Sequence, residues 1–167
     1  METVNVSRAI GAGFVATLVM TLMMYMAPMM GMPKMDIAAM LGSMFAGDMP
    51  QPWTGAWWTG MINHFITGTI IFPLIYAYLL YPFLAGGNWL RGTEWGLVLF
   101  VLAQAIVMPM MGMGFFSANS PQPMMSVVGS LIGHVIYGAI LGAIAGEQAT
   151  HVGHAERAGY ERRERHA

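Results

Sequence analysis

The sequence predicts an all-α membrane protein: a four-transmembrane-helix bundle built from two parallel two-helix repeats, with a short amphipathic surface helix. Three observations support this fold class. Charged residues make up only 9% of the 167 residues, against about 25% in soluble proteins. Three long runs contain no charged residue, and each could hold at least one bilayer-spanning helix of about 20 residues. The five-residue word Pro-Met-Met-Gly-Met occurs at 28–32 and returns unchanged at 109–113.

The uncharged runs predict four spans. They cover residues 9–33, 49–90 and 95–146, and the third is long enough for two helices separated by a polar stretch at 117–123. The first run exceeds the roughly 7–15 apolar residues of a signal peptide, so we expect it to be retained as a helix. The expected spans are roughly 9–31, 57–80, 94–114 and 124–146.

A short amphipathic helix is expected between the first two spans. Asp36 is a residue type that favours a helix N-cap. Apolar residues behind it recur at helical spacing, so one face is apolar. These residues are Ile37, Met40, Leu41, Met44 and Phe45. The pattern predicts a helix over about 36–46 that lies on the outer membrane surface.

The positions of the basic residues predict the orientation. Of the seven Lys and Arg residues, only Lys34 falls on the outer side, and the other six flank the opposite ends of the spans. Those six are Arg8, Arg91, Arg157, Arg162, Arg163 and Arg165. Because cytoplasmic loops are enriched in Lys and Arg, both termini are expected in the cytoplasm. Residues 1–146 then form the membrane domain, and 147–167 form a polar cytoplasmic tail.

The repeated word divides the membrane domain into two related halves, about 8–80 and 91–146. Each half has two spans, and the second span of each carries one histidine, His64 or His134. The first and third spans run in the same direction, so the halves would be parallel repeats related by an axis along the membrane normal. The two histidines are therefore expected at equal depth, facing each other across that axis.

The histidine pair is the best candidate for a cofactor site. Ionisable residues within a membrane are rare and are functional candidates by default. Histidines on two facing helices could supply both axial ligands of a haem b between the second and fourth spans, because histidine is a common haem ligand. The small residues Gly60, Gly68 and Gly138 lie four positions from His64 or His134 and would leave room for the ring.

Copper is the second interpretation of the same pair. Methionine accounts for 19 of the 167 residues, and thioether sulfur is a soft ligand suited to Cu(I). The methionines cluster at the outer ends of the spans, where they could capture an ion above the imidazoles. The candidate metal ligands are His64, His134, Met29, Met30, Met32, Met110, Met111 and Met113.

The third interpretation assigns no cofactor. Small residues four apart are the ordinary device for close helix packing in lipid, and a histidine between them can hydrogen-bond across the interface. The protein would then be a non-catalytic accessory or assembly subunit, in a homo-oligomer or a larger membrane complex. No phosphate-binding loop, dinucleotide fingerprint or catalytic triad occurs, so the sequence assigns no catalytic residue. Nucleic-acid binding has no support, since the arginines of the tail alternate with glutamates.

Three stretches carry a resemblance to a known family. They are Ala27-Pro-Met-Met-Gly-Met-Pro-Lys-Met-Asp-Ile37, Asn63-His-Phe65 and Gly133-His-Val-Ile-Tyr-Gly138. Over about residues 8–146 the sequence resembles a family of small prokaryotic four-span integral membrane proteins of unknown function. The resemblance implies the four-span fold and a multi-pass location in a prokaryotic plasma (inner) membrane. It implies no activity.

Overall fold

The computed structural model of the chain describes residues 4–164, with side chains described for 4–146. All regular secondary structure in these residues is helical. Four of the helices are long and apolar enough to cross a membrane, which confirms the predicted all-α, four-span fold. The helices are α1 (Val6–Met30, its last turn a 3-10 helix), α2 (Ile37–Ala46), α3 (Gly55–Leu80), α4 (Asn88–Met110) and α5 (Pro123–Glu164, with the apolar part Pro123–Gly146).

The third span begins earlier than expected. The sequence predicts it at 94–114, whereas α4 covers Asn88–Met110. The two charged residues that marked the expected boundary are accommodated inside the first turns of the helix. The guanidinium of Arg91 lies 4.7 Å from the centre of the Tyr81 ring, and the carboxylate of Glu94 accepts a backbone hydrogen bond from the preceding loop. The charges therefore lie within the helix and do not mark where it begins.

The two copies of the repeated word form the same helix-ending turn. Gly31 and Gly112 both have φ of 78°, a left-handed conformation that favours glycine. In each copy the glycine N–H donates to the proline carbonyl three residues back, at 3.1 Å and 3.0 Å. The next N–H, from Met32 or Met113, donates to the carbonyl five residues back, at 3.1 Å and 3.0 Å. Such bonds are those of a Schellman-type cap. We call the end of the bundle where these turns lie, with residues 31–54 and 111–122, the loop end.

The spans pack through glycines in pairs, α1 with α3 and α4 with α5. A Cβ placed on Gly13 of α1 would lie 2.8 Å from the carbonyl oxygen of Gly68 in α3. One placed on Gly92 of α4 would lie 2.6 Å from the Cα of Gly142 in α5. Small residues allow this close approach of backbones. Helix α1 also packs against α5, and α2 packs against α3. In the spans, these close glycine contacts join each histidine-bearing helix to a different neighbour, α3 to α1 and α5 to α4.

Asp36 fastens α2 to two of the spans. Its carboxylate caps α2, as the sequence predicts, by accepting from the Ala39 N–H at 3.1 Å. It also accepts from the Tyr25 hydroxyl of α1 at 2.8 Å and from the Trp57 indole N–H of α3 at 3.0 Å. Hydrogen bonds to an ionised group are roughly twice as strong as neutral ones. One side chain therefore holds the beginning of α2 against both α1 and α3.

Replacing Asp36 with alanine should lower the free energy of unfolding by about 3 kcal/mol, since it removes a cap and two charge-assisted hydrogen bonds. Thermal unfolding in detergent, followed by tryptophan emission, measures the change. Trp57 is buried against α2, so its emission should also shift to the red. The matched control is Asp48→Ala, which removes the same charge from an exposed residue at the same end of the bundle. Equal effects of the two substitutions would rule out this role for Asp36.

Candidate functional site

A cavity of about 250 Å³ occupies the centre of the bundle, and we call it the central chamber. All five helices contribute to its wall, which is mainly apolar. His64 of α3 and His134 of α5 both line it, so the fold brings together the two histidines that the sequence paired. Six methionines share the wall with them: Met20, Met24, Met35, Met44, Met108 and Met111.

Thr21 fixes the tautomer of His64. The Thr21 hydroxyl lies 2.7 Å from the Thr17 carbonyl oxygen, which can only accept, so its single hydrogen is donated there. With its hydrogen directed to Thr17, the hydroxyl accepts from the ring in the 2.9 Å contact between Thr21 Oγ1 and His64 Nε2. The proton of a neutral His64 is therefore on Nε2 and its lone pair on Nδ1. Among the described residues, no hydrogen bond reaches that Nδ1.

His134 is held by its own helix. Its Nδ1 lies 2.8 Å from the backbone carbonyl oxygen of Ser130, one turn earlier, with the Ser130 hydroxyl at 3.3 Å. A carbonyl oxygen can only accept, so Nδ1 carries the proton. The lone pair of a neutral His134 is then on Nε2, which no other described group approaches within hydrogen-bonding distance.

Both rings are therefore oriented as metal ligands are. No Asp or Glu among the described residues lines the chamber, so no carboxylate there would stabilise a protonated imidazole. In metal-binding histidines one ring nitrogen donates to a protein oxygen, which sets the orientation, and the other binds the metal. Thr21 and the Ser130 carbonyl are the oxygens that do this for His64 and His134.

The glycines predicted beside a cofactor lie at helix contacts. Gly60 faces α2, where an added Cβ would lie 3.0 Å from the Ala38 carbonyl carbon. Gly138 faces α4, where an added Cβ would lie 2.8 Å from the backbone nitrogen of Gly96. Gly68 does line the chamber, but Thr17 of α1 occupies the space beside it. The space expected at these glycines for a haem ring is thus taken up by neighbouring helices.

The methionines of the repeated word are mostly outside the chamber. Met29 and Met30 are 83% and 81% exposed, and Met110 is 62% exposed. Met32 lies near Gly129, and Met113 lines a second cavity at the loop end. Among the six predicted methionine ligands, only Met111 shares the chamber wall with the histidines.

The other five methionines of the chamber were not among the predicted ligands. For two of them a usable pattern was present. Thr17, Met20, Thr21 and Met24 recur at i, i+3, i+4 and i+7 and so share one face of α1. Two hydroxyl-bearing residues on an otherwise apolar span mark that face as the one that meets the histidine. Met35 and Met44 could not be assigned in this way, because their position depends on how α2 docks against the spans.

Comparison with known proteins gives a family without an activity. No curated protein and no solved structure matches the chain. Residues 3–156 match the family model described as "Family of unknown function (DUF6789)". The match covers the four spans and confirms the resemblance to a family of unknown function. The chain belongs to the DUF6789 family.

Proposed function

We propose that this membrane protein binds Cu(I) in the central chamber, through His64 Nδ1, His134 Nε2 and at least one thioether sulfur. One observation carries the proposal. Two imidazoles line the same cavity, and each has one nitrogen in contact with a protein oxygen and the other without a hydrogen-bond partner among the described residues. A metal ion in that cavity would bind both of these nitrogens.

The ligand set favours a soft ion. Within the described residues, no three His, Cys, Asp or Glu side chains group as metal ligands, so a zinc, calcium or magnesium site of the usual kind lacks donors. Two imidazoles with methionine sulfurs are neutral and polarisable, which suits Cu(I). Among the methionines that line the chamber, the expected sulfur ligands are Met20, Met24 and Met111.

Copper is preferred to haem b for two reasons. A cavity of about 250 Å³ is smaller than the roughly 300–1,000 Å³ typical of small-molecule pockets, whereas a single ion needs far less space. Haem also carries two propionates, and buried carboxylates require paired charges. No Lys or Arg lines the chamber among the described residues.

An accessory or assembly subunit is the second candidate function, and one contact favours it. The hydrogen bond between His64 and Thr21 joins α3 to α1, as expected of a histidine whose role is helix packing. In that case the protein would act through its lipid-facing surface, as a homo-oligomer or within a larger complex, and would bind no metal.

Metal analysis of the purified protein distinguishes these candidates. We expect protein in detergent to take up one Cu(I) per chain from a coloured Cu(I) chelator under reducing conditions, with no haem absorption band. Protein that takes up no Cu(I) would contradict the copper proposal and favour the accessory role. A Soret band, in the preparation or after haem is added, would favour haem instead.

A further inference from the structure

A second cavity, of about 270 Å³, lies at the loop end of the bundle, and we call it the vestibule. Its wall is formed by the turns after α1 and α4, by α2 and by the beginning of α5. Met35 and Met108 line both the vestibule and the central chamber. The two cavities therefore share a wall made in part of two thioethers.

We infer that Cu(I) reaches the histidines from the loop end through the vestibule, and that Met35 and Met108 pass it into the chamber by ligand exchange. The inference rests on the proposed function, because it concerns how the same ion arrives. Two further methionines, Met40 and Met113, line the vestibule, and Met111 lines the chamber. Thioether sulfurs are therefore present in the vestibule, in the shared wall and in the chamber that holds His64 and His134.

The shared wall is suited to a soft ion that has lost its water. Met108 is only 6% exposed and Met35 is partly buried, so the wall offers an ion little contact with solvent. A hard ion would have to lose its water ligands at this wall, and the thioethers would not replace them, so its transfer would be energetically costly. Cu(I) keeps a ligand throughout, because each thioether can bind it before the previous one releases it.

The charge at the vestibule discriminates against divalent cations. Lys34 is the charged residue lining it among the described part of the chain, and the remaining polar wall groups are neutral hydroxyls and an amide. A positive side chain repels divalent cations more than a monovalent one, since the Coulomb energy scales with charge. We therefore expect the ion to come from a sulfur-bearing donor, by transfer between ligands, and not as a free aqueous ion.

The vestibule wall is held in place by a buried hydrogen bond. Ser117 has a left-handed backbone, with φ of 57°, and so does the preceding Phe116, with φ of 50°. Residues other than glycine adopt this conformation only where surrounding contacts enforce it. The Ser117 hydroxyl donates to Gln104 Oε1 at 2.9 Å, and both side chains are almost fully buried. The loop between α4 and α5 is thereby drawn inward to form one side of the vestibule.

The double substitution Met35→Leu with Met108→Leu tests the route. Leucine keeps nearly the same volume, so packing should be preserved, but the sulfurs are lost. Stopped-flow absorbance measures the rate at which the protein takes up Cu(I) from a coloured chelator. We expect this rate to fall at least about ten-fold, and the rate of release to fall by the same factor, because the barrier to transfer rises when the intermediate ligands are removed. The amount of Cu(I) bound at equilibrium should be unchanged. Met29→Leu with Met30→Leu, which removes two exposed sulfurs, should leave both rates unchanged.

Three results would overturn the route. Unchanged rates in the double variant would show that the ion takes another path. A loss of equilibrium binding would make Met35 or Met108 a ligand of the final site instead of a relay. If the unmodified protein takes up no Cu(I), the proposed function itself is refuted. That result differs from the first two, in which the protein binds Cu(I) and only the route is wrong. Circular dichroism and the thermal midpoint establish whether the variants fold. If the double variant does not fold, the uptake rate of the single variant Met108→Leu tests the route.

Discussion

Replacing Gly92 with alanine should destabilise the protein by about 3 kcal/mol, the upper part of the range for overpacking a close contact. The added Cβ would lie 2.6 Å from the Cα and 2.7 Å from the nitrogen of Gly142, and it would also meet the Gly138 carbonyl. These are backbone atoms of α5, which cannot rotate away as a flexible side chain could. Helices α4 and α5 would have to separate, and the lost contact between them would lower the unfolding temperature measured in detergent.

The control for this prediction is Gly11→Ala in α1. A Cβ at Gly11 has no atom within 4 Å, so nothing opposes it. Alanine is the better helix former, and the control should stabilise the protein by about 0.5–1 kcal/mol. Opposite signs for the two substitutions would support the α4–α5 contact. Equal effects at Gly92 and Gly11 would show that α4 and α5 do not approach as described.

Removing either chamber histidine should weaken Cu(I) binding at least about 100-fold. Loss of a residue that only hydrogen-bonds to a metal ligand typically costs about 10–100-fold in affinity, and loss of the ligand itself should cost more. His64→Ala and His134→Ala each delete one of the two nitrogen ligands. Thr21→Val keeps the shape of the side chain but removes the oxygen that sets the His64 tautomer, and it should weaken binding about 10–100-fold. Competition titration against a coloured Cu(I) chelator measures all three.

Thr59→Val is the matched control for Thr21→Val. Thr59 is exposed on α3, and its hydroxyl donates only to a backbone carbonyl of its own helix. Its loss should leave Cu(I) affinity unchanged. If His64→Ala and His134→Ala lower the thermal midpoint but keep the affinity of the original protein, the histidines serve helix packing and the accessory role is favoured.

Much of the fold could be predicted because it depends on local sequence properties. Uncharged runs of sufficient length define the four spans, and Asp36 with the apolar stripe behind it defines α2. The depth of the histidines follows from counting along a helix, and both do line one chamber. That the two halves are parallel repeats, and that both termini are cytoplasmic, remain predictions.

The partner of each small residue could not be predicted. Gly60, Gly68 and Gly138 were expected either beside a cofactor or at a close helix contact, and the sequence does not say which helix would approach them. The structure places α2 at Gly60, α1 at Gly68 and α4 at Gly138. Helical periodicity identifies a face, whereas the choice of neighbour depends on how the whole bundle assembles.

The methionines that line the chamber were hard to predict for a geometric reason. The repeated word predicted Met29 and Met30 as metal ligands. In the structure α1 ends at the left-handed Gly31, and both side chains are exposed. In α4, residues Ala103–Val107 form a π-helical segment just before Met108. A π-helical segment has more residues per turn than an α-helix, so the residues after it point in a different direction from the one expected at 3.6 residues per turn. Counting along the sequence therefore assigns Met108 and Met111 to the wrong face of α4.

X-ray absorption at the copper K-edge, on protein loaded with one Cu(I) per chain, tests the copper site most directly. The spectrum reports the atoms bound to the metal whatever route brought it there. We expect a mixed shell of nitrogen and sulfur, together with the outer-shell scattering of imidazole rings from His64 and His134. A shell of sulfur alone, without imidazole scattering, would contradict the histidine site and would move the copper to the methionines of the loop end.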